Sequence, residues 1–505
     1  MSTATREPQQ GVFGNLTVPR RSGLFGLTFL QSAALIPLVL LFIALIATGR
    51  FLVAFVLVGF TGLVILLMRV KVRDGRTVFG RVAVRWNQKR KERAKKDIYL
   101  AGPTGAGTPD GATRLPGLMA RSELSEHADA YGRPFGLIRL SSRDVHHYTV
   151  VFEAYPDGGS LIDPEQLESR VAHWANWLTQ LGHDEGIRGA QVCIESSPDS
   201  GFRVRNLLET NRREGAPEFS DAVVNEILET HTVGAPQLVA RLSVTFDGRR
   251  MDGGNKDRGV AEMAEEIGNK IPELTANLAG TGAGNVQVCT AQNIVDFTRV
   301  AYDPTVAPMV EEMQANGAGT GLSWEEAGPS FMVDGFDTLQ HDRAFSRSWT
   351  MWQGPNGHFR SNALSRIVEP QADVLRKRVT LLYRPIPSAR TSALVQQEQK
   401  DAVWAGSQSR YDARAAQRQA AAAKTAAEEA QGAGLERFGL IVTVSVRDKE
   451  ELRFWDRQVP ALLTPAKLRV RTALANQAVT FQAGMPLGLV LSDHMLIPES
   501  IRKGM

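Results

Sequence analysis

Two uncharged apolar runs open the folded part of the chain. Residues 27–48 carry no charge and are interrupted by Thr28, Gln31, Ser32, Pro37 and the terminal Thr48; residues 51–68 follow after Gly49 and Arg50. At about 1.5 Å per residue the first run reaches roughly 30 Å, the thickness of a bilayer's hydrocarbon core. The pattern predicts a two-helix transmembrane hairpin over 27–68, after a tail at 1–26. Two buried core helices would give a similar pattern, but two such runs back to back are unusual in a chain of mean hydropathy −0.17. A cleaved signal peptide is the other reading, with Arg20 and Arg21 ahead of the first run and Ala47-Thr48-Gly49 as its site. The run is too long for a signal core, and a second run follows at once.

Beyond 116 the pattern changes to alternation. Residues 145–155 include the β-branched stretch Tyr148-Thr-Val-Val-Phe-Glu-Ala154 and predict a strand. Asp163-Pro164 then supplies a helix start, Leu167, Val171, Trp174, Leu178 and Leu181 a helical stripe, and Gly182 its end. Residues 188–196 return as a strand. The order recurs as strand 238–246, helix 259–278 and strand 285–289, and again as strand 438–446, helix 449–463, strand 467–471 and helix 472–483. The fold class predicted is α+β: an N-terminal transmembrane helical hairpin, then a cytoplasmic body of repeated βαβ-like units with helices on one face of each sheet. Residues 388–434, rich in Ala, Gln, Lys and Glu, predict a long helix or helical hairpin, an exposed arm that is either a solvated projection or a partner contact. Domains are expected at 117–305 and 306–505, joined to the hairpin by a basic collar and Gly/Pro linker at 69–116. Trp349, Trp352 and the turn at 354–357 predict a hairpin whose tryptophans serve the core or a partner surface.

Charge sharpens the picture. Residues 69–96 hold twelve Lys and Arg against Asp74 and Glu92, and the first 68 residues hold four Arg against Glu7, so the chain's +4 leaves residues 97 onward at −9. Positive charge on both sides of the hairpin predicts cytoplasmic ends and a multi-pass protein of the inner, cytoplasmic membrane. Within the collar, Phe79, Val82, Ala83 and Trp86 at helical spacing fit an amphipathic helix on anionic lipid, or a solvated helix with stop-transfer charges. An acidic body argues against direct nucleic-acid binding. Cys193 and Cys289, single and far apart, read as small buried hydrophobes rather than ligands or a disulfide.

Catalytic patterns are not found. The glycine-rich stretches at 102–107, 280–284 and 317–321 lack the Lys-Ser/Thr of a phosphate-binding Walker loop, and 280–284 follows a helix and precedes a strand, the reverse of a dinucleotide site. His146 and His147 alternate faces of one strand and do not share a metal; His173 beside Trp174 needs no special role. Glu265-Glu266 and Glu428-Glu429 are neighbours along helices rather than opposed carboxylates. No residue is expected to be catalytic, to bind a cofactor or to ligate a metal, and an enzyme is not expected.

The proline-arginine approach Val18-Pro-Arg-Arg21, the tight hairpin and the collar resemble the small PrgI-type inner-membrane subunits of conjugative type IV secretion systems. The run from Arg437 to Leu463, followed by a helix and Gly484-Met-Pro486, is similar to the end of the non-motor half of VirB-type secretion ATPases. The plan also resembles actinobacterial membrane proteins encoded beside a separate VirB-type ATPase, and the type VII subunit EccE. The resemblance implies a membrane-anchored structural subunit of a conjugation or secretion machine that docks a separate cytoplasmic VirB-type ATPase. It also implies contact with inner-membrane channel subunits. An EccE-like subunit of a type VII system is the alternative, and a membrane-tethered enzyme a third.

Overall fold

The computed structural model describes residues 12–13, 29–69, 75–102, 113–142, 145–156, 162–198, 201–213, 215, 217, 218–230, 236–249, 257–317, 319–355, 359–371, 373–407 and 413–495. The linker at 103–112, the Val18–Arg21 motif and both ends of the chain lie outside them. Two compact units result: residues 1–16 with 96–490, and residues 17–95 with 491–505.

In the smaller unit the apolar runs form helices α1 (Phe29–Ala47) and α2 (Phe51–Arg69), and the collar forms α3 (Val78–Arg93). The expected transmembrane hairpin, and with it the multi-pass membrane localisation, is corrected here. Among the described residues no helix is long and apolar enough to cross a membrane. Leu40, Leu52 and Phe55 on these helices are exposed. Thr77 caps α3 by accepting from the Gly80 N–H at 3.1 Å, and Val82 and Trp86, one turn apart, are exposed on it.

Among the described residues the larger unit contains fifteen strands: β1 (Val12–Phe13), β2 (Ile98–Leu100), β3 (Ser122–Ala128), β4 (Pro134–Ser142), β5 (Val145–Tyr155), β6 (Ile187–Pro198), β7 (Pro236–Asp247), β8 (Asn285–Val288), β9 (Phe331–Asp334), β10 (Leu339–His341), β11 (Ala344–Gln353), β12 (Phe359–Arg360), β13 (Arg376–Pro385), β14 (Glu436–Val446) and β15 (Arg469–Thr472). Its helices are α4 (Pro164–His183), α5 (Phe202–Thr210), α6 (Glu218–Thr230), α7 (Val260–Ala276), α8 (Ala291–Tyr302), α9 (Ala307–Ala315), α10 (Ser365–Val368), α11 (Ser388–Ser407), α12 (Ala413–Ala430), α13 (Leu452–Leu462) and α14 (Gln477–Ala483). Thirteen strands form one sheet, and every ladder in it is antiparallel.

This corrects the βαβ-like expectation. In each half the strand that follows a helix is separated from the strand before it by a third strand, so no parallel pair forms. Numbered within the first half, β5, β6, β7 and β8 lie in the order 4-1-3-2, because β5 pairs with β8 and β7, and β7 pairs with β6. In the second half β11, β13, β14 and β15 lie in the same order. Both are split βαββαβ, or ferredoxin-like, units. The likeness extends outward: a hairpin strand, β4 or β10, shares the outer edge of strand 1 with strand 4. It also extends inward, since helices interrupt the same connection, α5–α6 in the first half and α11–α12 in the second. The halves join through their second strands, β6 against β13, from Lys377 opposite Ser196 to Tyr383 opposite Ala190.

Residues directly opposite in a ladder share a face. On one face Phe152, Leu242 and Val244 lie beneath α4 and α7, with Trp177 and Ile267 filling the core. On the same face of the second half Trp349, Val379 and Val442 meet α10 and α13 through Ile367 and Trp455. Trp349 is thus a core residue. Among the described residues β11 pairs with β10, β14 and β15 and β12 with β1, so these two strands do not form the hairpin expected at 349–357; residues 356–358 lie outside the described residues. The helix expected from 472 starts at Gln477. The predicted arm is the hairpin of α11 and α12, with Ser392 donating to Glu429 at 2.7 Å.

Candidate functional site

The opposite face of the sheet is lined by polar side chains. From β7 come Arg241, Ser243 and Thr245, from β6 Gln191, Cys193 and Glu195, from β13 Arg376, Arg378 and Thr380, and from β14 and β11 Thr443, Ser445, Ser346 and Ser348. Such alternation ordinarily marks a sheet wet on one side, yet Ser243, Ser346, Ser348 and Thr380 are each 0% exposed. The cover comprises α8, α14 and the irregular strap that follows α14 to Val490. Strap backbone groups serve as partners for the sheet: Thr380 donates to the Gly484 carbonyl at 2.6 Å, Thr245 to the Gly488 carbonyl at 3.2 Å, and Gln191 accepts from the Gly488 N–H at 3.4 Å. Gln477 accepts from the Ser348 N–H at 2.8 Å, anchoring the start of α14. The covering helix α8 begins with a reciprocal Thr290–Asn293 capping box.

At the seam between the halves this face holds a charge cluster. Glu195 accepts from Arg376 through one oxygen and from Arg378 Nε at 2.9 Å through the other, and Arg241 Nη1 lies 3.6 Å away. Arg241 also pairs with Glu153 at 2.7 Å and stacks on Phe297 of α8, while Arg378 stacks on Phe481 of α14. Burial opposes ionisation of Glu195, but Arg376, Arg378 and Arg241 outweigh it and hold the carboxyl at about 2. Cys193 and Cys289 are free and buried, and burial pushes their thiols to about 11 and about 12, which removes them from thiolate chemistry at neutral pH.

Two constellations resemble hydrolytic machinery, and geometry argues against each. His341 Nδ1 faces the Tyr302 carbonyl and must donate, so Nε2 accepts from Ser346 Oγ at 2.6 Å, and Ser346 meets Ser445 at 2.6 Å. Burial lowers His341 to about 4, so it stays neutral. Both members are 0% exposed, which makes the pair a polar relay within the core rather than a nucleophile facing substrate. At the β4–β5 turn His146 Nδ1 lies 3.2 Å from Ser141 Oγ and 3.8 Å from Asp257. A Ser–His–Asp relay needs the two ring nitrogens separately, and here one nitrogen faces both partners. Asp257 is instead held by Arg139 and Tyr148, each at 2.8 Å.

The residues singled out from sequence do not converge. Gly280 and Gly282 allow close approach to α4, where an added Cβ would sit 2.9 Å from His173 and 2.8 Å from Arg170. Thr320, in the next glycine-rich stretch, donates at 2.6 Å to the buried Asp296. His147 is buried and His146 is half-buried on the other face of β5. Glu266 accepts from Lys270 and Arg258. Among the described residues no group of His, Cys, Asp and Glu could hold a metal. Sequence reading missed the seam cluster; its one signal was charged residues in the interior of long strands, as in Val239-Ala-Arg-Leu242.

At the base of the arm, where the Ile386 N–H donates to the Leu435 carbonyl at 3.0 Å, burial raises Glu436 from its ordinary 4.5 to about 7. A carboxyl whose folded pKa is raised contributes stability that is complete below about 4.5 and lost as pH rises through 7, the reverse of Glu195, whose contribution is lost as pH falls from 4.5 towards 2. Urea midpoints measured from pH 3 to 8 should therefore fall on both sides of a maximum. Glu436→Gln should flatten the neutral limb and leave the acid limb unchanged; an unaltered neutral limb would assign it to other groups.

Compared with known proteins, the chain matches no family model and no curated protein.

Proposed function

We propose that the chain is a docking subunit of a type IV-like conjugation or secretion machine that holds a separate ATPase of the VirB type through its larger unit. The observation that carries this reading is the place of the segment 437–463, on which the resemblance to the non-motor half of such ATPases rests. It forms β14 and α13, the third strand and second helix of the second βαββαβ unit. An ATPase that carries its own non-motor half presents an equivalent module for assembly. Exposed apolar side chains supply a contact surface: Leu207 on α5, Phe219 and Val223 one turn apart on α6, and Met309 and Met313 one turn apart on α9. Exposed aromatic and Met side chains are frequent anchors at interfaces.

Co-purification of the full chain with a VirB-type secretion ATPase from the same cell tests the reading. A 1:1 or fixed-ratio complex is expected. Phe219→Ser should weaken it by about tenfold or more, the usual loss for an interface aromatic. Removing residues 396–431 should weaken it further if the α11–α12 arm is a contact, and leave it unchanged if the arm is a solvated projection. A folded chain that fails to associate with the ATPase would defeat the proposal.

A further inference from the structure

We infer that the seam cluster binds a small inorganic anion, of the halide or phosphate kind, at Arg376 and Arg378. The inference stands on the charge and hydrogen-bond state of the cluster and does not rest on the docking role. Three guanidinium groups, Arg241, Arg376 and Arg378, face two carboxylates, Glu153 and Glu195, so one positive charge is left over. Arginine does not shed its proton to relieve the imbalance. The surplus sits in a closed place: Arg378 and Glu195 are 3% and 8% exposed at their side chains, and Phe481 covers the Arg378 guanidinium at 5.3 Å.

The surplus charge coincides with unused donors. Arg376 gives Nη1 to Glu195 and Arg378 gives Nε to the other oxygen of the same carboxylate, and the buried Arg376 Nε and Arg378 Nη1 have no acceptor. An unpaired buried charge or donor is costly. Water would accept the two N–H groups but leave the charge. A small anion meets both needs, accepting from the guanidinium groups while neutralising the cluster. Size follows from burial, since Arg378 and Glu195 are 3% and 8% exposed at their side chains and Phe481 lies over the Arg378 guanidinium.

The test uses the full chain at fixed ionic strength, with gluconate replaced stepwise by bromide or by inorganic phosphate. A ligand that binds only the folded state stabilises in proportion to the logarithm of its concentration once sites fill. The melting temperature of the unaltered protein should rise with each tenfold increase in bromide or phosphate. Arg376→Gln removes the surplus charge and one donor, so its melting temperature should not depend on which anion is present. In gluconate it should be at least as stable as the parent, a result that a merely structural arginine would not give. Crystals grown in bromide should show an anomalous peak within hydrogen-bond distance of Arg376 and Arg378. Equal anion dependence in parent and variant, or water alone at the arginines, would overturn the inference.

Discussion

Replacing Glu195 by alanine should cost about 3–5 kcal/mol, the usual loss when one partner of a buried ion pair is removed. The reason is what remains. Arg376, Arg378 and Arg241 would then face only Glu153, with Phe481 of α14 lying over the Arg378 guanidinium. That loss is a large share of the roughly 5–15 kcal/mol that holds a typical protein folded. Glu195→Gln keeps the shape and some hydrogen bonding and should fall between parent and alanine. The double replacement Glu195→Met with Arg378→Met removes one charge of each sign, and buried ion pairs exchanged for apolar groups are often neutral. Its cost should therefore be less than the sum of the two single costs when all four proteins are compared by denaturant unfolding. Strict additivity would mean that the carboxylate and guanidinium do not interact, and would remove the cluster as the clasp of the seam.

The second large effect is expected at Gly488. Its φ of +73° lies in the left-handed region, and an added Cβ would overlap Thr149 Oγ1 and Thr245 Oγ1. Those hydroxyls meet each other at 3.0 Å, and Thr245 also donates to the Gly488 carbonyl, so neither can turn away without losing a buried hydrogen bond. Left-handed backbone costs about 1–2 kcal/mol for a residue with a side chain, and overpacking adds about 1–3 kcal/mol. Gly488→Ala should thus lower stability by roughly 2–5 kcal/mol on these two terms together. It should also open the strap to proteases, with new cleavage at 484–490. Gly354→Ala is the control, since a Cβ there meets nothing within 4 Å and its φ is ordinary. Thr149→Ala in the Gly488→Ala background removes one of the two obstructions and should restore part of the loss. Indifference of the melting temperature to Gly488→Ala would show that the strap does not seat between the two threonines.

Much of the local structure was legible because it depends on neighbours in sequence. The alternation in Phe438-Gly-Leu-Ile-Val-Thr-Val-Ser-Val446 marks β14, and Asp163-Pro164 marks the start of α4, although the Asp163 side chain makes no capping bond. The apolar runs yielded α1 and α2 nearly at their expected bounds, but run length alone did not establish a span. What was not legible is which strand lies between two others. β7 separates β5 from β6 although it follows both, and no periodicity within a strand reports a neighbour that arrives later. The second face of the sheet failed for a related reason. Alternation along 238–246 puts Ser243 and Thr245 on the face opposite Leu242 and Val244, but direction does not report exposure, and both are buried. The strap that hides them, Gly484-Met-Pro-Leu-Gly-Leu-Val490, carries no periodic signal. The seam cluster joins residues 183 positions apart at Arg378 and Glu195, beyond the reach of any local pattern.

The strap also sets an order of events during synthesis. Thr245 waits 243 residues for the Gly488 carbonyl, and Gln191 waits 297 for the Gly488 N–H. On a ribosome that adds about 5–20 residues per second, β6 and β7 would be free of the tunnel for roughly ten seconds or more before their cover emerges. A face of Leu and Val would spend that interval as a sticky surface. A face of Ser, Thr, Gln and Arg can spend it hydrated, with Thr245 and Thr380 bonded to water until the Gly488 and Gly484 carbonyls take its place. The polar face is thus suited to a nascent chain that remains dispersed until the strap arrives.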